Sequence, residues 1–250
     1  MSAISSSSIR NVLLSKLPPE ELAKFSTDLE RLELPKGFLI AAFNDPIDHV
    51  YFPDSGIGSV VAVSPEGNKA EAGMFGREGF SPVQAAVGAE ISPHEIVMQH
   101  SGSGHRITSR RFLEAMECSP LFAHLVASYS QALAIQVTYT ALSNVSHPVD
   151  ERLARWLLMC HDRVDGDELN LTHEYISLML AVRRPSVTTA LHVLEGNRFI
   201  RSERGRILIR DRAALEEFAR DAYGKPEQEY DRLIGKKDGS RPSNVVPLTG

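Results

Sequence analysis

The rhythm of apolar positions changes twice along the first hundred residues. Between residues 11 and 31, Leu22, Phe25, Leu29 and the following Leu32 recur at helical spacing behind Pro18-Pro19 and Glu20-Glu21. This predicts a helical lead-in, since proline suits a first helical turn and carboxylates suit the positive end of the helix. From Leu34 to about Ile107 the texture is different. The runs Phe38-Leu39-Ile40, His49-Val50-Tyr51-Phe52, Gly58-Ser59-Val60-Val61-Ala62-Val63 and Glu95-Ile96-Val97-Met98 alternate with turn residues at Pro35-Lys36-Gly37, Asp54-Ser55-Gly56, Pro65-Glu66-Gly67-Asn68 and Gly102-Ser103-Gly104. Many short strands at this spacing predict a small barrel or roll.

Helical rhythm then returns. Ser109 to Met116 predicts a short helix. Ser119, as cap, and Pro120, at the first helical position, open a long one that runs to about Val145. At about 1.5 Å per residue it spans roughly 39 Å. Leu121, Leu125, Ser128, Ala132, Ile135, Tyr139 and Leu142 form a heptad seam, and Phe122, Val126, Tyr129, Leu133 and Val137 lie on a neighbouring face. A helix apolar on two faces needs two partners: one face covers the roll and the other meets the same helix of a second chain. His147-Pro148 breaks the helix and forms a hinge. Asp150-Glu151-Arg152-Leu153 starts a further amphipathic helix with Leu153, Trp156, Leu157 and Cys160. Beyond Asp221 the chain turns polar and rich in proline and glycine, which predicts a disordered tail over 224–250.

The segment from Leu171 to Asp211 carries the chemistry. Thr172 caps a helix containing Tyr175, Ile176, Met179 and Leu180, and Ala181-Val182-Arg183 is a tight connection. Pro185 starts a second helix, in which Val187, Ala190, Leu191 and Leu194 face inward. Arg184, Ser186, Thr189 and His192 are left outward near its N-terminal half. Two helices joined by a short turn, the second polar at its outer N-terminal surface, form a helix-turn-helix. A major groove about 12 Å wide admits one such helix, and Arg184 suits a bidentate contact to guanine. The stretch Phe199 to Ile209 predicts a hairpin with Arg204-Gly205-Arg206 at its tip, a wing suited to phosphate. The candidate base-reading residues are Arg183, Arg184, Ser186 and Thr189. The candidate backbone contacts are Thr172, His192, Arg204 and Arg206.

Net charge is −5, which argues against a nucleic-acid partner until its distribution is considered. Asn170 to Arg212 holds eight arginines against four carboxylates, so this segment is +4 and the rest is −9. A basic module on an acidic body is the asymmetry of a nucleic-acid reader. A hydrophobic content of 42% supports a packed core. No run approaches the roughly 18 apolar residues of a membrane span, and no apolar stretch follows the Ser-rich N-terminus, so a cytoplasmic location is expected. The two cysteines, Cys118 and Cys160, cannot supply a four-thiolate cluster and are expected as buried or semi-buried free thiols. Gly73-Met74-Phe75-Gly76-Arg77-Glu78-Gly79 lacks the Gly-Lys-Ser/Thr of a phosphate loop and is expected to be a turn region of the roll. His94, His100 and His105 form no compact ligand motif, so neither metal nor cofactor is expected. No nucleophile-base or paired-carboxylate constellation stands out, and an enzyme is not expected.

In the order lead-in helix, roll, long helix, winged helix-turn-helix, residues 11–223 resemble the cyclic-AMP receptor protein/fumarate-nitrate regulator (CRP/FNR) family. The likeness is strongest over 171–211. It implies an α+β fold with four parts: a cyclic-nucleotide-binding-like β-roll (jelly roll) over 11–118, a dimerisation helix over 119–146, a winged helix-turn-helix over 147–223 and the tail. It implies a homodimeric transcription regulator on a pseudo-palindromic operator in double-stranded DNA, with RNA polymerase as protein partner. Where the family's recognition helix commonly reads Ser-Arg-Glu-Thr-Val-x-Arg, this chain has Arg183-Arg184-Pro185-Ser186-Val187-Thr188-Thr189. The first base-reading arginine maps to Arg184. The glutamate becomes Pro185 and the second arginine Thr189, so a different operator is expected.

The resemblance also locates a degenerate effector pocket. The family's ribose-binding glutamate maps to Phe80, after Gly79, and its phosphate-clamping arginine to His94, followed by Glu95. A glutamate beside a phosphate is repulsive. Control by cyclic AMP is therefore not expected, and the effector is left unidentified. The alternative reading is a ligand-binding module that acts through protein contacts without its own DNA readout.

Overall fold

The computed structural model describes residues 9–235. The lead-in is less helical than expected. It consists of α1 (Val12–Ser15) and α2 (Pro19–Leu22), followed by a single 3-10 turn at Ser26–Asp28. Asn11 caps α1 by accepting from the Leu14 amide, and its own side-chain amide donates to Pro53 O and Gly79 O, pinning this end to the roll. Leu32 lies not in a helix but in β1 (Glu30–Leu34).

The roll comprises β1, β2 (Leu39–Ala41), β3 (His49–Pro53), β4 (Ile57–Val63), β5 (Lys69–Phe75), β6 (Glu95–His100) and β7 (Gly102–Thr108). They form two antiparallel sheets, ordered β1-β7-β3 and β2-β6-β4-β5. Two expected turns are strand instead. Gly102-Ser103-Gly104 is the start of β7, opposite β1, and Gly73-Met74-Phe75 ends β5. The roll's core is aromatic: Phe80 lies 5.5 Å from Phe112 and 5.8 Å from Phe52, centroid to centroid. Such contacts add to the burial of their large apolar area.

Two helices close the roll. α3 (Ser109–Cys118) is capped by Thr108, and α4 (Pro120–Ser146) by the Ser119 hydroxyl, which accepts from Phe122 N at 3.2 Å. Phe122 of α4 stacks on Phe25 at 4.7 Å. The chain breaks at His147-Pro148. There His147 touches Ser143 Oγ at 3.2 Å on one side and Asp221 at 3.3 Å on the other.

The C-terminal domain has a second core, formed by α5 (Val149–His161), α6 (His173–Met179), α7 (Arg184–Gly196) and α8 (Arg212–Ala219). Its small sheet is ordered β8-β10-β9, from β8 (Glu168–Leu169), β9 (Ile200–Glu203) and β10 (Arg206–Ile209). The expected tail is partly a correction. Lys225–Ile234 forms a helix, α9, that packs along α4, burying Pro226 and Ile234. Its Gly224 amide donates to the Glu227 carboxylate at 3.0 Å, and Lys225 pairs with Glu229 one turn on, at 2.8 Å. The remainder of the expected tail, 236–250, lies outside the described residues.

Candidate nucleic-acid interface

The reading element is built from local rules. Thr172 caps α6, its hydroxyl accepting from Tyr175 N at 3.2 Å. α6 ends at a turn in which Ala181 holds a left-handed backbone, φ +50°. α7 opens at Arg184, with Pro185 at its second position, where a missing N–H costs nothing. Val187, Ala190, Leu191 and Leu194 are buried against α5 and its neighbours, so the opposite face of α7 points away. Arg183, Arg184, Thr189 and His192 are exposed and Ser186 is half-buried. Among the described residues neither Arg183 nor Arg184 has a carboxylate within ion-pair distance. The Thr189 hydroxyl donates to Pro185 O at 3.1 Å, which leaves its lone pairs free to accept.

The wing is a two-residue turn between β9 and β10, with Gly205 at φ +76°, a conformation in which a Cβ is unfavourable. Arg204 is exposed at the tip. Arg206 is tethered instead, to Glu203 and, at 3.3 Å, to Glu168, so it must exchange a carboxylate for any phosphate it meets. Thr172 lies in a cleft between the domain and the roll, with Lys36, Lys69 and Arg183 among its other walls.

Residues 151–218 match the family model of the Crp-like helix-turn-helix domain. Solved structures with the same architecture include FixK2 of Bradyrhizobium japonicum (15% identity, TM-score 0.64), with 76% of this chain and 96% of that one aligned. They also include the c-di-GMP-responsive global regulator CLP of Xanthomonas campestris (15%, TM-score 0.61, 77% and 99% covered). A third is a CRP/FNR-family regulator of Eubacterium rectale (21%, TM-score 0.61, 83% and 97% covered). No curated protein matches significantly by sequence.

Residues 151–218 form a Crp-like helix-turn-helix domain, and the chain as a whole shares the fold of these solved regulators.

Within this CRP/FNR-type architecture the expected effector pocket is filled. Phe80 is fully buried against Tyr129 of α4, at 5.3 Å, and a Cβ on Gly79 would meet the Tyr129 ring at 1.8 Å. His94 bonds to Gln84 at 3.1 Å, and Glu95 is paired with Lys69 at 2.6 Å. The four residues are near one another in sequence only as two separate features: Gly79 and Phe80 serve the core, while His94 and Glu95 make local contacts. Cys160 is buried, which pushes its thiol pKa well up, whereas Cys118 is exposed, against expectation.

The expected dimer seam is only partly free in this chain. Leu125 and Ala132 are buried inside the chain, and Ile135 and Tyr139 are half-buried. Leu121 and Leu142 are 40% and 51% exposed, and Val145 is 89% exposed. The exposed positions His124, Gln131, Thr138 and Val145 lie one step around from the expected seam. The displacement arises because the roll and α9 both pack on α4 and occupy more of its circumference than the heptad reading allowed.

Two buried polar joints escaped the sequence reading. In the first, Glu71 of β5 is buried against the DNA-binding domain. It accepts from Trp156 Nε1 of α5 at 2.8 Å, from Gln99 Nε2 at 2.6 Å and from the Ser59 hydroxyl. Burial outweighs these bonds and pushes its carboxyl up to about 7. In the second, Arg163, just past α5, donates to Glu78 at 2.8 Å and to Met159 O at 2.7 Å. Glu71 sits in Lys69-Ala-Glu-Ala-Gly, where flanking alanines give no sign of a buried carboxylate.

Proposed function

We propose that the protein works as a cytoplasmic homodimer that reads a pseudo-palindromic DNA operator and controls RNA polymerase without cyclic AMP as effector. The observation that carries this reading is the outward face of α7, on which Arg183 and Arg184 are exposed and unpaired among the described residues. Guanidinium groups at a recognition-helix N-terminus match the O6 and N7 acceptors of guanine. Residues 11–118 then act as sensor, 119–146 as dimer element and 147–223 as reader.

For the dimer, the supporting feature is a corrected seam on α4. Leu121, His124, Ser128, Gln131, Ile135, Thr138, Leu142 and Val145 are spaced alternately by three and four residues, and Leu121, Leu142 and Val145 give it exposed apolar surface. Against cyclic AMP stands the packing of Phe80 and Tyr129 where a ribose would need a carboxylate and space. Among the described residues no helix is long and apolar enough to cross a membrane.

The test is selection of duplexes from a random library by the full chain. Enrichment of a two-fold-symmetric sequence, with half-sites about one DNA turn or roughly 34 Å apart, supports the reading. Recovery of duplexes with no shared sequence overturns it.

A further inference from the structure

One feature not absorbed by the DNA reading is a cavity of about 320 Å³ between α4, α9, the Arg77-Glu78 loop and the end of α5. Its size falls at the lower end of small-molecule sites, about 300–1,000 Å³. It lies on the other side of Tyr129 from Phe80, and α9 supplies one of its walls.

Three tyrosines line it. Two are fixed by their hydroxyls: Tyr223 donates to Asp162 Oδ2 and Tyr230 to Glu78 O, each at 2.8 Å. The third, Tyr129, is only 2% exposed, and its hydroxyl has no hydrogen-bond partner among the described residues. A buried hydroxyl without a partner costs about 1–3 kcal/mol, so a polar ligand group that met it in the cavity would be favoured.

The charges around the cavity decide what that group is. Both lining arginines are already neutralised, Arg163 by Glu78 at 2.8 Å and Arg77 by Asp165 at 2.6 Å. Asp162 is matched by Arg212 at 2.7 Å. Glu227 and Asp231 of α9 remain, with no ion pair among the described residues, and Glu78 Oε2 is buried without a hydrogen-bond partner. Burial pushes the Glu227 carboxyl upward, despite the nearby charges of Arg163 and Arg155, as expected of a carboxylate short of a direct cationic partner. The walls therefore combine aromatic rings, unpaired carboxylate oxygens and a free hydroxyl.

We propose that this cavity binds a small organic cation, an amine or quaternary ammonium compound, between the tyrosine rings and the α9 carboxylates. Ring quadrupoles and carboxylates both attract such a group. Because α9 forms a wall, occupancy ties the C-terminal helix to the long helix and to the end of α5.

The test is calorimetric titration of the full chain with benzyltrimethylammonium, tetraethylammonium and spermidine, with benzoate and inorganic phosphate as anionic counterparts. Saturable binding of at least one cation at millimolar concentration, and of neither anion, is expected. Glu227→Gln keeps an acceptor for the Gly224 amide and, combined with Asp231→Asn, weakens that binding by about tenfold or more, equivalent to about 1.4 kcal/mol. Retained folding of the double variant is checked by its melting temperature. The proposal is overturned if no cation binds saturably, if the anions bind instead, or if the folded double variant binds the cation as tightly as the native chain. None of these outcomes depends on DNA binding, so the site and the DNA reading stand or fall separately.

Discussion

The indole N–H of Trp156 in α5 donates to the Glu71 carboxylate of β5 across 2.8 Å, inside the contact between the roll and the DNA-binding domain. Gln99 and Ser59 complete the carboxylate's surroundings from the roll side, and the sulfur of Met179 in α6 lies 3.2 Å from Gln99 Nε2. The roll and the first helix of the helix-turn-helix thus share one buried polar cluster. Any rearrangement of the roll's β4-β5-β6 sheet reaches α6 directly, and α7 through the turn that follows.

This cluster gives the protein a pH-dependent stability. The folded carboxyl titrates near 7 against an ordinary value of 4.5. Between those pH values the folded chain holds more protons than the unfolded one, so the group's contribution to stability falls as pH rises through that window. The full loss is on the order of 3 kcal/mol. Glu71→Gln has no such loss, because an amide does not titrate, and Gln99, whose Oε1 has no partner among the described residues, turns over to accept from the new amide. Denaturant unfolding at pH 5 and pH 8 measures it: the native chain is less stable at pH 8 by more than the variant is.

Arg163 and Glu78 form the other cross-domain tie, at 2.8 Å and with Arg163 buried. Removing one member strands a buried charge, so Arg163→Met destabilises the protein by about 3–5 kcal/mol. Adding Glu78→Gln recovers part of that loss, because the stranded charge goes with it. Equilibrium unfolding of the two single variants and the double variant checks this; additive losses would show that the pair is not coupled.

Ala181 is a β-carbon residue at φ +50° in the turn between α6 and α7. A left-handed backbone costs such a residue about 1–2 kcal/mol relative to an unstrained one, and glycine is free of that cost. Ala181→Gly therefore raises stability by about 1 kcal/mol, an outcome read from the shift in melting temperature.

Leu142 and Val145 are exposed near the C-terminal end of α4, on the proposed seam. Replacing both with glutamate sets like charges against each other across a two-fold axis. Sedimentation of the double variant gives a folded monomer where the native chain sediments as a dimer. The same change at the buried Leu125 instead unfolds the roll.

The helix-turn-helix, the long helix and their caps were legible because each rests on local chemistry: Thr172, Ser119 and Pro120 stand where caps and first turns require them. β5 was not legible. Its Lys69-Ala70-Glu71-Ala72-Gly73 places a carboxylate and a glycine at buried positions, and only contact with Trp156 makes that arrangement tolerable. β7 was hidden by its glycines; a Cβ on Gly104 would lie 2.5 Å from Phe52 O. α9 looked like tail because its composition is polar, yet Pro226, Tyr230, Leu233 and Ile234 recur at helical spacing behind Gly224. That periodicity was present in the sequence. What makes it fold is the face of α4 that it covers, a contact no local pattern specifies.

The most direct test of the account compares native protein, Arg184→Ala and Arg204→Ala on the selected operator and on an unrelated duplex, across a range of salt concentrations. Arg184→Ala should lose about 1–3 kcal/mol on the operator and almost nothing on unrelated DNA. Arg204→Ala should weaken binding to both and reduce the salt dependence by about one counterion per site. If Arg184→Ala binds the operator as tightly and as selectively as the native chain, the outward face of α7 does not read bases and the account is contradicted.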